Sequence, residues 1–379
     1  MEHISYGRHS IDKSDIDGVV RALKSDRITQ GPAVPEFEAA LCRYTGAEYA
    51  VAVSSGTAAL HISCLAAGIG KGDRVITSPM TFLATANSVL YCGGKPVFAD
   101  VHEDTANIDP EEIKKKITKK VKAIIPVHFA GHPADLEEIR SIADKHDLTV
   151  IEDACHALGA EYKGSRIGAC KHSDMTVFSF HPVKHITTGE GGAVTTNRKD
   201  LYEKLLMLRN HGITREKEKL GRWDGPWYYE QQMLGFNYRI SDFQCALGIS
   251  QLQRLDTFLK RRRRIVDYYN KQFSSIDGLI LPVERPYVRS SWHIYCVKFR
   301  RYSRRKKIFE GLHRAGIGAQ IHYIPVHLQP YYRGNFGYKR GDYPKAEEHY
   351  RKTTTIPLYP KMEGTEKCHV ANILRTLLK

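Results

Sequence analysis

The chain has no apolar run of membrane-spanning length, no CxxC pair among its eight cysteines, no internal repeat and no low-complexity segment. A helical span needs about 20 consecutive apolar residues, so a membrane-embedded helix is not expected. The cysteines, at 42, 64, 92, 155, 170, 245, 296 and 368, are scattered and mostly sit inside apolar segments. That pattern argues for reduced thiols over a disulfide frame or a zinc site, and no metal is expected. Acid is also in short supply, with 42 Asp and Glu against 57 Lys and Arg and a net charge of +15. Such an excess suits either nucleic acid or a polyanionic small ligand, and composition does not separate the two. The dense run Lys260–Arg264 lies between Leu252, Leu255, Phe258, Leu259 and Ile265, Val266, Tyr269. It reads as the solvated part of a long helix, with no nucleic-acid module motif beside it. The opening MEHISYGRHS carries no signal-peptide core, so a cytoplasmic chain with no membrane partner is the expectation.

What the chain does contain is alternation. Strands are expected at Tyr49–Val53, Asp73–Thr77, Pro96–Ala99, Ala123–Val127 and Thr149–Ile151, separated by helices at Ala58–Ala67, Ala84–Tyr91, from Asp109-Pro110 to Lys120, and at Ala134–Lys145. Short βα spacings of this kind predict a parallel sheet with right-handed crossovers, whose ligands sit beyond the carboxyl ends of the strands. A long helix pair is expected from the Ser241-Asp242-Phe243-Gln244 capping box to Phe273, preceded by a mobile aromatic loop over 212–232. A second, smaller α/β unit follows, with strands at 292–299 and Gly318–Tyr323 and helices at Arg305–Ala315 and Thr365–Leu378. At 379 residues the chain exceeds one core, and residues 1–250 are assigned to a large unit and 251–379 to the linking helix and a small one.

At the expected carboxyl edge fall Ser54–Thr57, Phe82, Asp153, His156, Ser179 and Lys184. Ser54-Ser55-Gly56-Thr57 joins a strand to a helix, where unpaired N–H groups and the helix dipole favour phosphate. Lys184 stands in a tight loop, HPVKHITTGEGG, between two apolar strands. Burial there lowers the pKa of an amine and makes it a nucleophile for carbonyls. Asp153 follows another strand, and a carboxylate there suits a pyridinium partner.

These residues lie in runs that resemble the sugar-nucleotide aminotransferases of the DegT/StrS family: SSGTAALH (54–61), TSPMTFLATAN (77–87), IEDACHALGA (151–160), FSFHPVKHITTGEGGA (178–193), LGFNYRISDFQCALGISQL (234–252) and IHYIPVHLQPYY (321–332). The segments ITQG, PVKHITTGEGG and PWYYEQQMLGFNYR are most similar to its pseudaminic acid branch. The resemblance implies a type I pyridoxal 5'-phosphate-dependent aminotransferase fold, with a large, mostly parallel sheet domain and a smaller C-terminal α/β domain. It implies that Lys184 holds the cofactor covalently and moves the proton, that Asp153 pairs with the ring nitrogen, and that Phe82 stacks on the ring. His156 would border the ring hydroxyl, while Gly56, Thr57 and Ser179 would hold the phosphate. Asn237 would reach that phosphate from the second subunit of a homodimer. Tyr6, Arg239, His322 and His327 would line the sugar-nucleotide pocket. Arg27, before ITQG, stands where relatives use a lysine near the nucleotide phosphates.

The implied substrates are a UDP-linked 4-keto-6-deoxy-N-acetylhexosamine and L-glutamate. A dTDP-linked keto sugar remains an alternative acceptor. The dehydratase branch of the same fold replaces the lysine by histidine, so Lys184 argues against it. A non-catalytic basic nucleic-acid-binding regulator is disfavoured by the joint presence of Lys184, Asp153 and Ser179.

Overall fold

The structure is a computed structural model that describes residues 3–378. Its centre is a seven-stranded sheet of Tyr49–Val53 (β1), Arg74–Thr77 (β2), Lys95–Phe98 (β3), Val121–Ile125 (β4), Thr149–Asp153 (β5), Met175–Ser179 (β6) and Gly192–Thr196 (β7). The spatial order is β1-β7-β6-β5-β4-β2-β3, and only β7 runs antiparallel to its neighbours. Apart from the exposed Lys122, the interior residues of β1, β2, β4, β5 and β6 are buried, and apart from that lysine and the buried Glu152 and Thr176 they are apolar, as strands covered by helices on both faces tend to be. The alternation in the sequence therefore does produce a mostly parallel sheet. The hairpin of β6 and β7 closes over the loop that carries Lys184, pairing Ser179 with Gly192.

Local chemistry explains most element boundaries. The helix Gly56–Ala66 begins at Ser55, whose Oγ accepts the N–H of Ala58 at 3.1 Å, an N-cap of the usual kind. The helix Asp242–Gln253 opens on the expected capping box of Ser241 and Gln244. The helix after Asp109 stops at Lys114 instead of reaching Lys120. Beyond it the chain turns at Thr118, whose carbonyl accepts the Val121 N–H as β4 begins.

A second sheet, of Leu279–Ile280 (β8), Tyr295–Phe299 (β9) and Thr353–Ile356 (β10) with β9 central, packs with the helices Arg305–Arg314 and Gly364–Leu378 around a separate core. The segment expected as a strand at Gly318–Tyr323 is not one. Gln320 exchanges two backbone hydrogen bonds with Thr355, and the chain then leaves the sheet, delivering His322 and Tyr323 to the first sheet's carboxyl edge. The aromatic loop over 212–232 contains a short ribbon pairing Ile213 with Gln231 and Thr214 with Glu230.

The helix Leu255–Phe273 serves both cores. Leu255 packs in the large one, and Ile265, Val266, Tyr269 and Phe273 pack in the small one. Its basic run is not uniformly solvated as expected from sequence: Arg262 is 1% exposed. Its Nη1 donates to the carbonyls of Trp292, His293 and Leu358 at 3.3, 3.0 and 3.0 Å, and burial pushes its pKa down to about 9. A buried guanidinium that satisfies three carbonyls ties the linking helix to one end of the small sheet, where the start of β9 pairs with the end of β10.

One glycine of the hairpin is sterically required. A Cβ on Gly192 would lie 2.5 Å from the Ser55 carbonyl oxygen and 2.7 Å from the Gly56 nitrogen. Gly192→Ala is expected to cost about 1–3 kcal/mol and to displace the Ser55-Gly56 turn, measured as a lower urea midpoint together with weaker phosphate binding at that turn. An unchanged midpoint with unchanged binding would refute this reading.

Candidate active site

Beyond the carboxyl ends of β1, β2, β5 and β6 lies a cavity of about 390 Å³. Nine of the twelve residues singled out from sequence line it: Tyr6, Gly56, Thr57, Phe82, Asp153 and His156, with Ser179, Lys184 and His322. Four separate strand ends supply most of them, so the convergence follows from the parallel topology.

The phosphate-type corner forms where the helix Gly56–Ala66 meets the end of β6. A Cβ on Gly56 would stand 2.9 Å from the Ser179 Cβ and 3.2 Å from its Oγ. Only glycine lets the helix start come this close to the serine hydroxyl. Ser55 takes up the N–H groups of Ala58 and Ala59. The preceding N–H groups, on the cavity-lining Gly56 and Thr57, are left for an anion at the positive end of the helix dipole.

Asp153, at the tip of β5, is 5% exposed. Its Oδ2 accepts the Thr85 hydroxyl at 2.6 Å and its Oδ1 the Cys155 N–H at 3.2 Å. Lys184 is partly buried. Its pKa is lowered by loss of hydration, partly offset by attraction to Cys155 and Asp153. The expected depression of the amine pKa is thus present in the folded chain. Phe82 presents its ring with 61% of its surface exposed, which is unusual for a phenylalanine beside a core and supplies a flat apolar face.

Histidines form the back wall. His156 is buried, with its Nε2 3.1 Å from the Tyr323 hydroxyl and its Nδ1 without a partner. The His156 ring centroid lies 4.3 Å from that of His293, which in turn is 5.3 Å from His185. Burial, and secondarily the nearby cations, holds all three well below the usual histidine range. His322 is pushed down to about 3 by burial and by Lys184, and its ring is 5.5 Å from Tyr6. The cluster is therefore neutral at physiological pH and adds no charge to compete with Lys184 and Asp153.

This set fits a phosphorylated pyridine aldehyde. It offers an anion corner, a carboxylate held from two sides, an amine with a depressed pKa, an exposed aromatic face, and an unpaired buried histidine nitrogen at the wall.

Three singled-out residues lie elsewhere. His327 is fully buried, its Nε2 3.0 Å from Glu347 and its ring 4.7 Å from that of Tyr343. Packing and a hydrogen-bond partner fix it away from the cavity, so the pocket-lining role expected for it is corrected. Arg239 donates to the Asn210 side chain at 2.7 Å and borders a different hollow, together with Arg27 and Arg215. Asn237 is exposed and bridges Asn210 through the backbone. Neither reaches this chain's own cavity, and no residue of the 212–232 segment lines it. Sequence reading passed over Thr81 and Thr85, which lie within TSPMTFLATAN on either side of Phe82 and are 3% and 1% exposed. The signal was available, since Thr81 just before the Phe82 N-cap and Thr85 in the first turn put two hydroxyls at one helix start.

The profile of the DegT/DnrJ/EryC1/StrS aminotransferase family matches residues 9–375. The UDP-4-amino-4,6-dideoxy-N-acetyl-β-L-altrosamine transaminase of Campylobacter jejuni (serotype O:23/36) is 39% identical over 381 residues, covering 99% of this chain and 98% of the relative. Among solved structures, Helicobacter pylori PseC, an aminotransferase involved in biosynthesis of pseudoaminic acid, superposes with a TM-score of 0.92 at 31% identity, covering 100% of this chain and 99% of that one. Spr1654 of Streptococcus pneumoniae, solved in a PLP form, superposes with a TM-score of 0.92 at 31% identity over 99% and 98% of the two chains.

Two outcomes test the site. Borohydride treatment of the loaded protein should fix the cofactor to the peptide containing Lys184, and Lys184→Ala should lose turnover yet still bind cofactor through the phosphate corner and Asp153. Label recovered on another lysine, or full turnover in the alanine variant, would overturn the assignment. In the cofactor-free protein the Lys184 amine, its pKa lowered by burial, should undergo reductive methylation with a midpoint below that of surface lysines, which titrate near about 10.4. Equal midpoints by mass spectrometry would contradict the lowered pKa.

Proposed function

The chain belongs to the DegT/DnrJ/EryC1/StrS aminotransferase family, whose cofactor is pyridoxal 5'-phosphate, and we propose that it transfers the amino group of L-glutamate to C4 of a UDP-linked 4-keto-6-deoxy-N-acetylhexosamine. The observation that carries this reading is the Lys184 amine of lowered pKa at the same sheet edge as the Asp153 carboxylate, beside the Gly56–Ser179 corner. The acceptor follows the product named for the Campylobacter jejuni relative, and a net charge of +15 suits a diphosphate ligand.

Bound cofactor supplies an electron sink for the carbon that loses its proton. The chain's residues supply the rest. Lys184, neutral more readily than a solvated lysine, would hold the cofactor and serve as the base that moves the proton of the amine-bearing carbon. Asp153 keeps a ring nitrogen protonated by its charge. Gly56, Thr57 and Ser179 would hold the phosphate, Phe82 would cover one face of the ring, and His156 would stand at its hydroxyl side. Tyr6 and His322 offer uncharged polar groups to the sugar.

A homodimer with a shared site accounts for the residues that do not reach this chain's cavity. Asn237 is exposed, and Arg239 with Arg27 and Arg215 borders a separate hollow, an arrangement that suits their acting on the second subunit's ligand.

Offered glutamate with UDP- or dTDP-linked 4-keto-6-deoxy sugars, the enzyme should release 2-oxoglutarate fastest with the UDP-N-acetyl sugar. A clear preference for the dTDP sugar would reassign the acceptor. Mixing inactive Lys184→Ala with inactive Asn237→Ala should restore part of the activity through hybrid dimers carrying one intact site, and a fully active monomer would end the shared-site reading.

A further inference from the structure

A carboxylate that pairs with a ring nitrogen must hold its plane as well as its charge, and the Asp153 side chain has two outside contacts that do this. One is the Cys155 N–H on Oδ1 at 3.2 Å, two residues along the chain. The other is the Thr85 hydroxyl on Oδ2 at 2.6 Å, across 68 positions of sequence. A threonine at a helix start commonly bonds its own backbone or faces water. Thr85 does neither with its proton, and it is 1% exposed. Its Oγ1 is also 2.6 Å from the Thr81 Oγ1. An ionised carboxylate only accepts and a hydroxyl has one proton, so Thr85 gives that proton to Asp153 and accepts the Thr81 proton. The chain Thr81 to Thr85 to Asp153 thus has one direction. The same turn, between β2 and the helix Leu83–Tyr91, also carries Phe82 into the cavity.

We propose that Thr85, supported by Thr81, is a positioning residue whose hydroxyl holds the Asp153 carboxylate in the orientation that meets the ring nitrogen of the cofactor. The proposal rests on the reading of Asp153 as the ring-nitrogen partner. One short segment, 81–85, then sets both the face and the nitrogen end of the ring.

The test compares Thr85→Val, which keeps the shape and removes the hydroxyl, with Thr85→Ser, which keeps the hydroxyl. Pyridoxal phosphate affinity is measured by absorbance titration of the cofactor-free protein. Thr85→Val should bind more weakly by on the order of 10- to 100-fold, as expected when a charge-assisted hydrogen bond is lost. The visible absorbance of its bound cofactor should titrate at a different pH from wild type. Thr85→Ser should restore both readouts, and Thr81→Val, acting through Thr85, should lose less than Thr85→Val. If Thr85→Val does not fold, Thr85→Ala against Thr85→Ser carries the same comparison, since both lack the methyl and only one lacks the hydroxyl. Wild-type affinity and absorbance in the hydroxyl-free variant, or equal loss in the serine variant, would overturn the proposal. Failure of the wild-type protein to bind pyridoxal phosphate would instead overturn the function reading.

Discussion

An amine placed where water is scarce is the constraint on which the site depends. Lys184 lies at the carboxyl edge of the large sheet, and its proton is easier to lose there than in solution. That shift survives only if nothing near the amine compensates for the lost water too fully. The neighbouring histidines neither add to the shift nor offset it, because burial keeps His156, His185, His293 and His322 uncharged, which leaves lost hydration as its cause. Asp153 attracts the lysine, but both its oxygens already accept hydrogen bonds from Thr85 and Cys155. The outcome is one reactive amine beside one restrained carboxylate.

The scaffold holds these groups by backbone geometry more than by side-chain pairing. Gly56 and Gly192 sit where a methyl group would collide with Ser179 and with the Ser55-Gly56 turn. Their smallness brings the helix start, the end of β6 and the hairpin strand β7 into one corner. The second sheet completes the cavity from the other side through His322 and Tyr323. Arg262 and the helix Leu255–Phe273 connect the two cores. A change in the relative position of the cores would therefore be felt at the wall formed by His156 and Tyr323, 3.1 Å apart.

Charge is distributed with a purpose that composition could not reveal. The excess of base does not crowd the cavity, whose polar wall is mostly hydroxyl and neutral imidazole. Arg27, Arg215 and Arg239 border a separate hollow. Cations kept at a distance from Lys184 do not depress its pKa further, and they remain available for an anionic ligand approaching from outside the chain's own cavity.

The sequence by itself determined the parallel sheet, its carboxyl-edge site, the lysine loop and the phosphate-type turn. Each is written in contiguous residues: alternating βα spacing, apolar strands ending in Asp153 and Ser179, and a serine cap before Gly56–Ala66. The fates of isolated polar side chains were decided only in three dimensions. His327 resembles Tyr6 and His322 as a candidate, yet Glu347 and Tyr343 bury it. Arg262 belongs to a basic run, yet three carbonyls from distant segments enclose it. Thr85 reads as an ordinary helix residue until β5 brings Asp153 within 2.6 Å. Local periodicity encodes which backbone forms. A lone polar group takes its role from partners tens or hundreds of residues away, and only the packed fold brings those partners to it.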